Sequence, residues 1–585
     1  MRMKLAMSVF LVVLCLLILP CESFAQTISG SGSSLGSQGA EGQYLGESKD
    51  FYLLARKDIA LAWSELADPS VNVSAAFSPF SGTWSVLPIT LPVLLDYGYN
   101  GGQVGVIANQ NTVWIYYPTS SGWTPLSYMN LSGYDAGGYT AVAWAEGESA
   151  TGFSAFLNLE STQPLVGSGF NAAVSDEGRS TSAILFSDTE AFGYSALTNS
   201  WAHEPLSGPP RGHSAGLNSC LVWTNDTAHG YSALFSDWHD TPILNAPTSG
   251  VAGGWLGVVY NNKEAIVYDA QDGLWFPGPT FSQHIPPVVR VGKEVALVWS
   301  DDGAWAFDLR RDVWFEIGIV PGAQFTYQGD VLRNSMLLWN NNEAWGYSRY
   351  RSKPGAMVNL PDGSPVTATV KARGIVIYNG VNAYGMGKEC TWKRLPLDSN
   401  KVYDIRMRAK VAAFWADDEA YVFNCMTNKW EEIVFANPAN IRGSASQECA
   451  ILWNDDEGFA YVADTGDIYR VPLSAKPLKG YGADWVMGIQ DEDNKVYAFS
   501  DETLAWSSRQ FDGDPRYLRA RGFNIVGVTD TTAYGYTNEL GTWAVRTMEE
   551  PPRALKMGHS VSVITMMEEM IGFSAFTGQW RKQHK

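Results

Sequence analysis

Acidic residues recur at one place in a repeating pattern: Asp301-Asp302, Asp417-Asp418-Glu419, Asp455-Asp456-Glu457 and Asp491-Glu492-Asp493. Each group follows an apolar run and precedes an alternation of small and aromatic residues, so each is expected in a tight turn between two strands. The carboxylates of Asp417, Asp418, Asp455, Asp456, Asp491 and Asp493, gathered on one face of neighbouring units, are weak candidates for binding calcium or a basic partner. Aspartate is also a turn former in its own right, and a solvated turn is the simpler account of the same residues. His213, His229 and His239 lie within one repeat, on three different strands with no convergent carboxylate visible, so packing or surface roles are expected rather than a metal. Cys220, Cys390, Cys425 and Cys449 form no CxxC pair, which argues against zinc, and their pairing is open. Cys220 and Cys449 precede apolar strands at matching positions and read as small buried hydrophobes.

The element that positions these residues is a short tandem repeat. Leu221-Val-Trp-Thr-Asn-Asp-Thr-Ala-His-Gly-Tyr231, Leu297 to Phe307, Leu337 to Tyr347 and Ile451 to Tyr461 share one frame: an anchor aromatic, a polar turn, then aromatics six and eight residues on. The frame places anchors at Trp63, Ala108, Trp144, Phe186, Trp223, Tyr260, Trp299, Trp339, Tyr378, Trp415, Trp453, Asp491, Val528 and Thr565, mostly 36 to 40 residues apart with two longer steps. Side chains alternate with period two along a strand. Ala304, Ala306, Ala344, Gly346, Ala420 and Gly458 therefore share a face that a neighbouring sheet can approach closely. A second turn leads to a strand that usually begins with Trp, as at Trp84, Trp201, Trp238, Trp430 and Trp580, and a further strand such as Gly212–Gly216 precedes each anchor pair. Four short strands per repeat make one blade.

The stretch Pro209-Pro-Arg-Gly-His-Ser-Ala-Gly216, followed by Leu221-Val-Trp223, Gly230-Tyr231 and Trp238, resembles a blade of the Kelch and galactose-oxidase type of propeller, and Pro551 to Ser560 echoes its opening. The family's Gly-Gly after the second strand is replaced here by Trp-Asn, Trp-Ser or Trp-Ala, so the resemblance is one of blade architecture. It implies an all-β chain of about fourteen four-stranded blades. Propellers typically close with about four to eight blades, so two seven-bladed rings in tandem are expected, over 44–320 and 321–585, with a boundary near Pro321-Gly-Ala323. A six-plus-eight split is the alternative. Ser300 to Trp305 is similar to the Asp-box of sialidases and Tyr268 to Trp275 to the docking repeats of quinone-dependent dehydrogenases, but both look like any tight turn before a tryptophan.

Residues 1–25 have the form of a signal peptide: Arg2 and Lys4, an apolar run from Leu5 to Pro20, then Ser23-Phe24-Ala25 as a small-x-small cleavage site. A secreted or periplasmic protein follows, with a flexible Gly/Ser linker over 26–43. Anchoring through Cys21 as a lipoprotein is disfavoured by Pro20 in the position that wants a small residue. No later stretch is apolar for long enough to form a membrane helix. The sequons at Asn72, Asn130 and Asn225 matter only in a eukaryotic secretory pathway. The net charge of −19, with no contiguous Lys/Arg cluster, argues against nucleic acid and anionic membranes. The expected partner is a protein or glycan, and the expected function is non-enzymatic binding or scaffolding. The alternative is a propeller-type enzyme acting on extracellular carbohydrate, with acids and bases meeting at a channel mouth.

Overall fold

The computed structural model describes residues 51–64, 74–87, 97–100, 102–109, 111–175, 179–282, 287–319, 327–350, 355–360 and 367–584. The expected signal peptide and linker, Cys21, Asn72 and the expected junction at Pro321-Gly-Ala323 lie outside these residues. Fourteen four-stranded antiparallel sheets follow one another along the chain, each in simple up-and-down order, with no helix among the described residues. No helix there is long and apolar enough to cross a membrane. Every anchor falls at or next to the end of the second strand of its blade, as in Ser219–Trp223, Val295–Ser300 and Val411–Trp415.

Burial explains why the repeat has its composition. In the fifth blade the second strand, Ser219–Trp223, is buried throughout, as is the third, Thr227–Ser232, after its first residue. The fourth, Asp237–Pro242, buries Trp238 and from His239 on alternates between partly covered and exposed. Two central strands are thus covered on both faces by neighbouring blades, which requires apolar or small side chains at nearly every position.

Three kinds of contact recur between neighbouring blades, not all of them at every seam. First, the turn between first and second strands donates backbone N–H groups to the same turn of the following blade: Asp58 N to Gly102 O at 3.1 Å, Thr181 to Leu217 at 2.7 Å, Gln447 to Asp484 at 2.6 Å. Secondly, a hydroxyl ending the third strand reaches the following blade's backbone, as from Ser195 to Ala233 O and Ser232 to Ala270 O, both 2.6 Å. Thirdly, a fourth-strand tryptophan reaches back to the preceding blade at most seams, as from Trp201 Nε1 to Ser161 O at 2.9 Å and from Trp275 Nε1 to His239 O at 2.8 Å. Between these ties a third-strand glycine meets the aromatic ring of the next blade: Gly152 lies under Tyr194, Gly193 under Tyr231, Gly230 under Tyr268 and Gly535 under Phe573, so that any Cβ there would overlap the ring.

The same contacts decide how the fourteen blades are arranged. Two separate rings of seven would seat blade 7 on blade 1 and blade 14 on blade 8. Instead, blade 7 is seated on blade 8, through Lys293 N to Arg333 O at 2.7 Å and Tyr347 Oη to Asp308 Oδ2 at 2.5 Å. Blade 14 is seated on blade 1, through His559 N to Lys57 O at 2.6 Å, Ser574 Oγ to Pro79 O at 2.5 Å, Trp84 Nε1 to Arg581 O at 3.1 Å and Phe77 over Gly572. The fourteen blades therefore stand in one ring, whose closing seam has the chemistry of its internal seams. A ring of fourteen needs about 26° between blades where a ring of seven needs about 51°. With sheets packed ~10 Å apart, the mid-blade circumference is roughly 140 Å and the central opening on the order of 20 Å across.

Removing one tie tests its weight. Ser232→Ala deletes both the bond to Ala270 and the acceptor of Phe235 N, and is expected to lower the unfolding free energy by about 1–2 kcal/mol in urea titration, while Ser81→Ala, in an exposed turn, is expected to change little. Residues 44–320 expressed alone would leave two blade faces uncovered, so size-exclusion and near-UV circular dichroism are expected to show an aggregated or poorly packed chain; a well-packed monomer would contradict the single ring.

Candidate functional site

The wall of the central opening is built by the first strands, one per blade. Their central residues lie nine positions before the anchors in most blades, as Arg290 does before Trp299 and Arg519 before Val528. Arg290 pairs with buried Leu297, Asp330 with Leu337, Arg406 with Ala413, and Arg519 with Val526. The second-strand partner is enclosed in each case while the first-strand side chain is exposed. The sequence places polar residues here because this edge faces solvent and no further sheet.

These strands are unlike the rest of the molecule in charge. They carry Arg56, Arg290, Lys371, Arg406, Arg442, Lys479, Arg519, Arg521 and Lys556 against Asp135, Asp330 and Asp404, nine cations to three anions in a chain of net charge −19. Like charges meet across seams. Burial and then the neighbouring Arg408 hold Lys371 below the ordinary lysine range, and burial and then Arg519 do the same to Lys556. Among the described residues Lys371, Arg406, Arg442 and Arg519 form no ion pair, whereas on the outer strands Arg470 is paired with Glu457 and Lys582 with Glu569. The sequence has no contiguous basic cluster because these side chains come from separate blades. Part of the signal was present nine residues before the anchor, at Arg290, Arg406, Arg519 and Lys556, but it has meaning only once the first strands are known to share a wall.

At the rim a groove of about 530 Å³ opens between blades 10, 11 and 12, where Trp415, Trp453, Asp404, Asp417, Arg442 and Lys479 contribute to its lining. Trp415 and Trp453 lie against Gly443 and Gly480 of the following blades, and both rings are almost fully covered.

The acidic hairpins fall in the turns between second and third strands, and those of blades 10 to 12 lie on one face of adjacent blades. The carboxylates of Asp418, Asp455, Asp456 and Asp491 are engaged locally. Asp418 pairs with Lys401 at 2.8 Å, Asp455 accepts from Asn440 at 3.0 Å, and Asp456 accepts from Asn437 at 3.2 Å. Asp491 is buried and accepts from the N–H groups of Asp493 and Lys495 and from Ser474 Oγ. Asp417 lines the groove and its carbonyl accepts from Ile441 N.

The structure assembles two other groups that sequence order had hidden. His213, His229 and His239 do not converge: His213 packs on Phe186 with ring centroids 4.4 Å apart, and His239 lies beside Tyr268. His229 is buried, with Nδ1 2.9 Å from Asp240 and 3.2 Å from Glu204 of the preceding blade. Burial, and then the charge of Asp240, push Glu204 above the usual carboxylate range. At the seam of blades 6 and 7, oxygens of Asp269, Asp272 and Asp312 lie within 4.8 Å of one another. Asp269 occupies the place held by Ser195 and Ser232 in the preceding blades, and accepts from Gln271 N and Asp272 N. Cys220, Cys390, Cys425 and Cys449 are buried thiols outside any disulfide, and burial pushes the Cys220 thiol up to about 12.

No protein-family profile matches the chain, and no curated protein aligns with it. Among solved structures, the computationally designed Ika8 protein aligns at 11% identity over 51% of this chain and 95% of its own, with a TM-score of 0.23, too low to carry an argument.

The substituted seam yields a pH signature. Burial first, with Asp272 and Asp312 adding to it against the opposing backbone N–H groups, raises Asp269 from 3.8 to about 6. Its folded pKa lies above the unfolded one, so ionisation opposes folding: the penalty is absent below about pH 4, grows through pH 6 and is full above it. Asp269→Ser is expected to stabilise the protein by about 1–3 kcal/mol at pH 7.5 and by little at pH 4, as read from urea unfolding at the two values.

Proposed function

We propose that the protein is an exported, non-enzymatic binding or scaffold protein that holds a protein or glycan partner on the wall and rim of its ring. The observation that supports this most directly is the wall itself: the first strands of blades 7, 8 and 10 to 13 present exposed charged side chains from braced blades, a surface already ordered before a ligand arrives. Binding to a preordered surface avoids the cost of immobilising loops, which can amount to about 0.5–1.5 kcal/mol for each flexible side chain. Export is supported by the basic, apolar and small-x-small succession of residues 1–25. The Kelch-like opening Pro209 to Gly216 and its aromatic strands support a propeller of the binding kind, a fold that hosts many unlike ligands and predicts no chemistry by itself.

The test is a thermal-shift screen of the mature chain against neutral and acidic glycans and purified envelope proteins, because a ligand that binds only the native state raises the melting temperature by mass action. At least one ligand is expected to produce a saturable rise and to be recovered uncleaved by chromatography. Cleavage of the ligand would replace this reading with the glycan-enzyme alternative.

A further inference from the structure

We infer that the wall of blades 9 to 14 is a binding site for an acidic polysaccharide, a chain carrying repeated carboxylate groups, threaded along or through the central opening. This rests on the binding-protein reading above and names its ligand. Of the charged first-strand residues in these six blades, Lys371, Arg406, Arg442, Lys479, Arg519, Arg521 and Lys556 are cationic and Asp404 alone is anionic. Gathering like charges on one wall raises their mutual repulsion, and Lys371 and Lys556 show it in their neighbours Arg408 and Arg519. Arg406, Arg442 and Arg519 are exposed and have no ion pair among the described residues, although the chain as a whole has 19 more acidic than basic charges with which to neutralise them. An anionic ligand relieves this repulsion, and a concave wall of one sign concentrates such a ligand at its surface.

Two features favour a carboxylated glycan over a nucleic acid. The free cations of the wall are mainly arginines, whose planar fork donates two parallel hydrogen bonds to a carboxylate. Single-stranded nucleic acid also needs aromatic faces on which bases stack, and here Trp299, Trp415 and Trp453 are covered by the glycines and side chains of adjacent blades, while the first-strand rings Tyr481 and Tyr517 are half-buried with their hydroxyls tied to Gln490 and to Arg553 O. An opening on the order of 20 Å, from fourteen sheets ~10 Å apart, admits a single polysaccharide strand with its water.

The experiment uses the full mature ring and polygalacturonate, with dextran, oligodeoxythymidine and polyglutamate as comparators, in fluorescence-anisotropy titrations at several salt concentrations. Polygalacturonate is expected to bind with an affinity that falls as salt rises, and dextran not to bind. The triple variant Arg406→Ala, Arg442→Ala, Arg519→Ala is expected to weaken polygalacturonate at least tenfold with an unchanged melting temperature, since none of the three side chains holds an ion pair. The outer-strand variant Arg509→Ala, Arg546→Ala is expected to bind as the wild type does. Equal weakening in both variants, or in neither, would overturn the site. Oligodeoxythymidine or polyglutamate binding as tightly as polygalacturonate would overturn the ligand class. Absence of polyanion binding to the wild-type ring would overturn the inference outright, while a saturable shift with a neutral glycan or a protein in the preceding screen would leave the binding-protein reading standing.

Discussion

The structure depends on the seam between neighbouring blades. No four-stranded sheet of this chain could be stable by itself, because its second and third strands are apolar on both faces and need a neighbour on each side. The seam supplies that neighbour with a fixed geometry. Backbone bonds join the inner turns, hydroxyls at the ends of third strands join the middle, and tryptophan N–H groups join the outside. Glycines under aromatic rings set how closely the sheets approach. Each hydrogen bond is worth only about 1 kcal/mol net, but the pattern recurs around the ring, and the pair formed by blades 14 and 1 repeats it. Closure leaves no blade face uncovered, which is how a propeller manages the exposed faces and edges of a sheet protein.

The seam also accounts for the composition. Tryptophan is frequent because the outer tie needs an indole N–H at the start of the fourth strand. The recurring Gly-Tyr-Ser and Gly-Phe-Ser triplets are explained in the same way: glycine admits the next ring, the aromatic covers the preceding glycine, and serine both bonds forward and caps its own turn, as Ser195 does for Thr198 N and Ser232 for Phe235 N. Where the triplet departs from this rule, its surroundings change. Asn424 takes over with an amide N–H to Ala463 O at 2.7 Å. Asp308 accepts from Tyr347 instead of donating. Asp269 has no proton to donate when ionised and lies within 4.8 Å of two further carboxylates, Asp272 and Asp312. With aromatics and hydroxyls committed to the seams, the first-strand edge is the surface that remains for recognition, and its side chains have a charge opposite to that of the whole chain.

Much of the blade was legible from residue order. The anchor frame located all fourteen second strands, including those ending at Ala108, Asp491, Val528 and Thr565, where no aromatic marks the place. The small residues at Gly346 and Ala420 were rightly read as the face approached by a neighbour. Cys220 and Cys449 are buried, as their positions suggested. The serine that closes each triplet went unread, because a hydroxyl near a turn has an ordinary local explanation and its partner lies about forty residues away in the next blade. The carboxylates around His229 and the cations of the wall were hidden for the same reason: each member comes from a different strand, and the group exists only across seams.

The sequence by itself determined the blade, its number and its strand order, because these follow from a period of two along a strand and a period of nearly forty along the chain, both properties of residue order. It did not determine the arrangement of the blades. Whether fourteen units close as two rings or one depends on the wedge angle between packed sheets, a sum of small ring-on-glycine and side-chain volumes that no periodicity encodes. That angle is also what set Lys371 beside Arg408, Arg519 beside Lys556 and Phe77 over Gly572, residues brought together from separate blades and, at the closing seam, from nearly opposite ends of the chain. Only the tertiary structure could decide these meetings, because charge and van der Waals contact act through space.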